Sequence, residues 1–263
     1  MSDGDVKNVD AKEETPSVEF KNVSLTYSGS GAPSVEGINF KAMKGQTIGV
    51  IGGTGSGKSC LVNLIPRLYD ATQGEVLVDG VNVKDYDIEA LRNKVGIVMQ
   101  KAVLFKGTIR ENMWMGKKGA TDEQIDEALE ISQSKEFVDS KQGRLDYVIE
   151  QGGKNLSGGQ RQRLTIARAI VRKPDVLILD DSASALDFAT DAALRKAIRG
   201  MNNSPTVFIV SQRAASLMYA DLIIVLDDGQ VAGMGTHDGF LQIVRFIKRY
   251  MNHSLRKQIQ KGV

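Results

Sequence analysis

Val18 to Tyr27, VEFKNVSLTY, alternates apolar and polar positions with one slip at Lys21-Asn22. That is the period of a half-buried strand carrying a bulge. YSGSGAP is a loop, and GINFKAMKGQTIGVIG predicts two strands around a Lys44-Gly45 turn. The second of these runs directly into glycines. GEVLVDGVNV predicts a hairpin turning at Asp79-Gly80, and KVGIVMQ, Lys94 to Gln100, a short buried strand. From about Phe105 the period becomes helical. Thr121 and Gln124 have the spacing of a capping box, and Ile125, Ala128 and Leu129 form a helical face. Strands and helices then alternate: DVLILDD, a helix from about Phe188 to Arg199, TVFIVS, a further helix, and LIIVLDDG. Such alternation predicts an α/β fold, a mainly parallel sheet with helices on both faces. An antiparallel β subdomain precedes it, and an α-helical subdomain is inserted at about 105–172.

Composition narrows the class. The 263 residues carry 34 basic and 32 acidic side chains, a net charge of +2, which is no electrostatic footprint for nucleic acid. One cysteine excludes an internal disulfide and suits a reducing compartment. No apolar run reaches the roughly 20 residues of a membrane span. The polar start, residues 1–16, reads as a flexible lead-in without a signal region.

GGTGSGKS, Gly52 to Ser59, fits the phosphate-loop pattern between a predicted strand and the helical CLVNLIPRLY. Gly52, Gly53, Thr54, Gly55, Ser56 and Gly57 turn main-chain N–H groups around phosphate oxygens. Lys58 reaches the β- and γ-phosphates of ATP, and the Ser59 hydroxyl binds Mg²⁺. Asp180, ending an apolar strand, is the expected magnesium acid. Cys60 follows on the first helical turn, where a thiol is activated. It is expected to react with alkylating agents unless ATP covers it; a buried, inert thiol is the competing reading.

NLSGGQRQRLTIARAIVRKPDVLILDD carries the most specific pattern. Ser157 and Gln160 have cap spacing around a bare turn of Gly158 and Gly159, a place where anions bind. With LSGGQ and the downstream SALD, Ser184 to Asp187, the chain resembles the nucleotide-binding domain of ABC transporters over about residues 17–241. The resemblance implies a P-loop NTPase core that closes head to tail with a second ATP-binding domain around two Mg-ATP. Ser157, Gly158, Gly159 and Gln160 then complete the partner's site. It further implies that Tyr27 stacks on adenine, that Gln100 contacts Mg²⁺ and the water, and that Glu150 meets the coupling helices of an exporter. VLFKGTIRENM and EQGGKNLSGGQRQR are similar to exporter domains of the multidrug type. The expected partner is a transmembrane domain, in the same parent chain or as a separate subunit. The expected place is the cytoplasmic face of a bacterial membrane.

Two positions depart from the family. Asp181 stands where a glutamate usually polarises the attacking water, and Gln212, in VFIVSQRAAS, stands where a histidine usually holds the γ-phosphate. Aspartate is shorter by about 1.5 Å, one C–C bond, and misplacement by about 1 Å costs on the order of 100-fold. Glutamine donates a hydrogen bond but carries no charge. The expectation is an ATPase weak on its own, the degenerate half of a heterodimeric pair. A fully active homodimeric motor, an importer subunit, a soluble ABC ATPase acting on DNA or ribosomes and a non-hydrolysing regulatory module are the alternatives. His237 and His253 lie outside these motifs, and no metal site beyond nucleotide-bound Mg²⁺ is expected. The basic tail, 242–263, is unlike the acidic, aromatic helix of the family. A frameshift and a natural amphipathic tail are its two readings, and sequencing the coding DNA separates them.

Overall fold

A computed structural model of the chain describes residues 3–9, 12–182 and 185–236. Strands β1 (Val18–Leu25), β2 (Val35–Ala42) and β3 (Thr47–Gly52) are followed by helix α1 (Lys58–Asn63). Then come β4 (Gln73–Val78), β5 (Val81–Asn82), α2 (Ile88–Lys94) and β6 (Val95–Val98). The next stretch holds β7 (Gly107–Thr108), α3 (Ile109–Trp114), α4 (Asp122–Ile131), α5 (Lys135–Asp139), β8 (Val148–Ile149) and α6 (Gly158–Ile170). The last holds β9 (Val176–Asp180), α7 (Phe188–Arg199), β10 (Thr206–Ser211), β11 (Leu222–Asp227) and β12 (Gln230–Gly235).

Two main sheets result. Strands β2-β1-β4-β5 form an antiparallel sheet, and β12-β11-β3-β10-β9-β6 a second one, parallel except for β12. The slip at Lys21-Asn22 is a real bulge: the register of β1 shifts there against both neighbours, and Asn22 takes a φ of +50°. The Asp79-Gly80 turn has φ of +49° and +80°, the two positive values that a tight hairpin of this hand needs. The segments on either side of Lys44-Gly45 do not pair with each other. They enter different sheets, so this turn joins the two layers.

Strand β9 shows why the second sheet sits at the centre. Val176 and Ile178 pack into an apolar cluster with Phe20, Phe40, Ile48 and Phe208 on the antiparallel side. Leu177 and Leu179 pack into another with Ile125, Leu129, Leu164 and Ile166 of the helical lobe. A strand buried on both faces needs a continuous apolar run, and VLIL supplies it.

The lobe at about 105–172 is mainly helical, closed by a short antiparallel ladder between β7 and β8. The Thr121–Gln124 capping box is present, and Ile125, Ala128 and Leu129 are buried. Three expectations change. The helix after the glycine loop is short: Leu64 and Ile65 already make tighter i→i−3 bonds, Pro66 has no N–H to continue the ladder, and Arg67 turns to a φ of +50°. No α-helix joins β10 to β11, because residues 212–221 span only the crossing over β3 and hold a single 3₁₀ turn at Ala214–Leu217. The lead-in is not free chain where it is described. Gly4 N–H donates to Tyr86 O (3.1 Å), Val6 N–H to Asp85 O (3.0 Å) and Asp87 N–H to Val6 O (2.9 Å). Met1, Ser2, Asp10 and Ala11 of the lead-in, Ser184 of SALD, both histidines and the tail 242–263 lie outside the described residues.

Candidate active site

The glycine loop leaves the C-terminal end of β3, a central strand, and α1 follows at once. Its glycines are demanded by different neighbours. A Cβ on Gly52 would collide with Leu226 O and Ser56 Oγ, and one on Gly57, at φ +93°, would stand 2.5 Å from Ser34 O. Gly53 and Gly55 face open space, the face a phosphate chain approaches. Lys58 Nζ donates to Gly52 O (3.0 Å), Gly53 O (2.5 Å) and Ser56 Oγ (3.4 Å), so its ammonium lies folded across the loop. Burial pulls the Lys58 pKa below the ordinary lysine value, and the charges of Asp180 and Asp181 oppose that shift.

Asp180 ends β9, separated from β3 only by β10. It is 5% exposed, and the Ser59 hydroxyl stands beside its carboxylate. Burial raises its pKa above the usual carboxylate value; Ser59 opposes that shift, Asp181 adds to it and Lys58 opposes it again. A buried carboxylate beside a hydroxyl, with the Gln100 amide within reach of the next acid, is a set of hard oxygen donors. That set fits Mg²⁺, which prefers oxygen and keeps several waters. Among the described residues no cluster of three or more His, Cys, Asp or Glu offers another metal site.

Asp181 lies just past the strand. Its N–H donates to Val210 O (2.9 Å), and its φ of +46° turns the chain abruptly. Gln100 Nε2 donates to Asp181 Oδ2 at 3.3 Å, so two predicted site residues 81 positions apart meet directly. The parallel registers Val210↔Asp180 and Ser211↔Ile51 carry the exposed Gln212 to the same end of the sheet. Ser211 Oγ accepts from Arg213 N–H (3.0 Å) and tightens that turn.

On the other side of α1, Tyr27 OH donates to Cys60 Sγ (3.3 Å). Burial, then the thiol contact, pushes the Tyr27 hydroxyl well above its ordinary range. Tyr69 meets the Tyr27 ring edge to face, with centroids 4.9 Å apart. Tyr69 escaped the sequence reading because it follows the Pro66 turn in no motif. Its one signal is its exposure, which only the fold reveals.

Ser157 caps α6 as its spacing predicts. Its Oγ accepts from Gln160 N–H (3.2 Å), and Gln160 Oε1 accepts from Ser157 N–H (3.0 Å). Gly158 is exposed and Gly159 half-buried, and a Cβ on Gly159 would sit 3.4 Å from Ala185 O, so LSGGQ and SALD adjoin. Glu150 is exposed, and its N–H donates to Asn155 Oδ1 (3.0 Å).

A glycine loop running off a central parallel strand into a helix, with a buried acid two strands away, defines a P-loop nucleotide-binding domain. The ABC transporter family profile matches residues 35–184. A multidrug export ATP-binding/permease protein of Staphylococcus aureus is 39% identical over 220 residues, 84% of this chain and 38% of that protein. An ABC transporter ATP-binding protein of Mycobacterium bovis is 42% identical over 227 residues, 85% of this chain and 39% of that protein. A solved bacterial Atm1-family ABC exporter with ATP bound matches with a TM-score of 0.84 and 32% identity, over 97% of this chain and 44% of that one. The chain belongs to the ABC transporter family, whose ATP-binding domains are ATPases coupled to transport. It spans about two-fifths of the length of these relatives. Among the described residues no helix is long and apolar enough to cross a membrane.

Proposed function

We propose that this chain is the ATP-binding motor of a bacterial ABC exporter, working at the cytoplasmic face of the membrane with a transmembrane permease portion. It pairs head to tail with a second, different ATP-binding domain. Its own site binds Mg-ATP and hydrolyses it slowly, while its signature serves the partner's faster site. The observation that carries this reading is the contrast within one site. The Lys58, Ser59 and Asp180 binding groups are assembled, but the position for water activation holds the short Asp181, occupied by Gln100.

The roles of the side chains follow from their chemistry. Lys58 exchanges its loop carbonyls for phosphate oxygens, and the loop N–H groups add donors that need no reorganisation. Ser59 and Asp180 hold the metal; bound Mg²⁺ would neutralise charge on the phosphates. Tyr27 offers its ring to the base. Asp181 can orient a water, but its reach is short by about 1.5 Å. Gln212 gives a neutral donor where a cation would better stabilise developing charge. The cap of α6 leaves the Gly158 and Gly159 N–H groups and the helix dipole open to an anion held by the partner domain.

Equilibrium titration of the purified chain with ATP, with and without Mg²⁺, tests the binding half. Wild type binds with Mg²⁺, and Lys58→Ala weakens binding by at least about tenfold, one charge-assisted contact. Equal affinity of Lys58→Ala and wild type would sink the proposal.

A further inference from the structure

Beyond Leu25 the chain leaves β1, and Tyr27 opens the serine and glycine loop that follows. Its main chain is held there by one turn, Ser30 N–H donating to Tyr27 O (2.9 Å). A ring on such a loop must be held by other elements if it is to serve as a surface, because every rotamer left open is given up when a ligand stacks on it. Two groups hold this ring. Its hydroxyl donates to Cys60 Sγ (3.3 Å), which fixes the far end of the side chain against the first turn of α1. The ring itself meets Tyr69, with the two planes at 82° and the centroids 4.9 Å apart. In that arrangement the positive edge of one aromatic faces the negative face of the other.

Tyr69 reaches Tyr27 because α1 ends early. It follows Cys60 by nine positions, and a continuous helix would set the two about 13 Å apart along its axis. Instead the chain breaks at Pro66, turns at the left-handed Arg67 (φ +50°), and Leu68 N–H donates back to Asn63 O (3.0 Å). Arg67, 2% exposed, locks this turn: its Nε donates to Asp70 Oδ1 (2.7 Å) and its Nη1 to Lys84 O (3.2 Å). Tyr69 itself stays 41% exposed, so a firmly fixed turn carries a ring that the core does not enclose.

We propose that Tyr69 is a positioning residue for nucleotide binding: carried back by the Pro66–Arg67 turn, it holds the Tyr27 ring in the orientation in which a purine base stacks on it. It acts on the base through Tyr27 and leaves the phosphates to the glycine loop. The inference rests on the reading of Tyr27 as the surface for the base and adds the residue that sets its pose.

The test titrates the full chain with Mg-ATP and, separately, with Mg²⁺ and inorganic triphosphate, which has the phosphates without the base. Tyr69→Ala weakens ATP binding about fivefold, the size of one edge-to-face pair, and leaves triphosphate binding unchanged. Tyr69→Leu keeps apolar bulk without a ring and shows the same loss, whereas Tyr69→Phe keeps the ring and binds ATP like wild type. Tyr27→Ala weakens ATP binding more, again without moving triphosphate. In that background Tyr69→Ala adds no further loss, because residues that act as one unit are not additive. Wild-type ATP affinity in Tyr69→Ala or Tyr69→Leu overturns the inference. So does an equal loss for triphosphate, which means that the substitution disturbs the loop. A full additional loss in the Tyr27→Ala background overturns it too, since Tyr69 would then meet the base itself. With each of these, a Tyr27→Ala chain that loses ATP and keeps triphosphate leaves the reading of Tyr27 standing. A Tyr27→Ala chain that binds ATP as wild type does overturns that reading and the inference together.

Discussion

Asp180 sets the behaviour of the site at the scale of single residues. Its pKa is raised above the usual carboxylate value chiefly by burial, so the folded chain holds that proton more tightly than the unfolded chain does. The group therefore favours folding most below the unfolded carboxylate pKa, and loses that contribution as pH rises through its folded value. Asp180→Asn removes the buried charge. It raises the melting temperature of the nucleotide-free protein at neutral pH, and the gain shrinks as pH falls through the raised Asp180 value. A pH series of thermal melts in chelator checks this; a gain independent of pH contradicts it. Gly52 gives a second expectation. A methyl there collides with Leu226 O and Ser56 Oγ, so Gly52→Ala distorts the phosphate loop, whereas Gly53→Ala meets nothing within 4 Å. ATP titration of the two variants should show a large loss for the first and a smaller one for the second. The phosphate loop, Asp180 and the Ser157 cap were legible in the sequence, because each is a short local pattern whose spacing states its geometry. The Gln100–Asp181 contact joins residues 81 positions apart, and no local pattern encodes it. Tyr69 was invisible for the same reason.

At the scale of elements, α4 and α6 hold the helical lobe to the central sheet. Leu129, fully buried, belongs to the cluster that contains Leu164, Ile166 and Leu177. Leu129→Ala should destabilise the chain by about 2–5 kcal/mol, transfer plus cavity. Urea unfolding measures it, and a loss well under about 1 kcal/mol would mean that the lobe contributes little to the cooperative fold. Ser157→Ala removes one half of a capping box and should cost about 1 kcal/mol. Helices with caps were read closely from sequence, as with Thr121–Gln124 and the Phe188–Arg199 helix with its Asp187 cap. The missed elements failed for identifiable reasons. The 212–221 connection is apolar enough to suggest a helix, but the crossing over β3 leaves space for one 3₁₀ turn. The helix after the loop read as long until Pro66 and the left-handed Arg67 ended it. Residues 3–9 read as free chain because main-chain pairing with Asp85–Asp87 leaves little trace in side-chain periodicity.

At the scale of the whole molecule, the proposed site draws on a loop that joins β3 to α1 and, through Mg²⁺, an acid on β9, so bound Mg-ATP would clamp elements far apart in the chain. Mg-ATP should raise the melting temperature, by about 2.7 kcal/mol of stability at a hundred times its dissociation constant. No shift in a thermal melt at saturating Mg-ATP would contradict a folded binding site. The layered architecture was readable from the alternation of strands and helices, since a strand such as VLIL, apolar on both faces, can sit only between two layers. Strand order was not readable, because pairing across the sheet depends on contacts between distant segments.

In the proposed site nucleotide binding is intact while water activation is impaired at Asp181 and Gln212. Phosphate release by the wild-type chain, beside Asp181→Glu with Gln212→His, over a wide range of protein concentration, tests it most directly. The account predicts a nearly silent wild type and a double variant that turns over at a rate rising with concentration, as two chains close around ATP. Its gain should be on the order of 100-fold, the cost assigned to a carboxylate about 1 Å out of place. A wild type that already turns over as fast as the double variant contradicts the account and makes a homodimeric motor the better description.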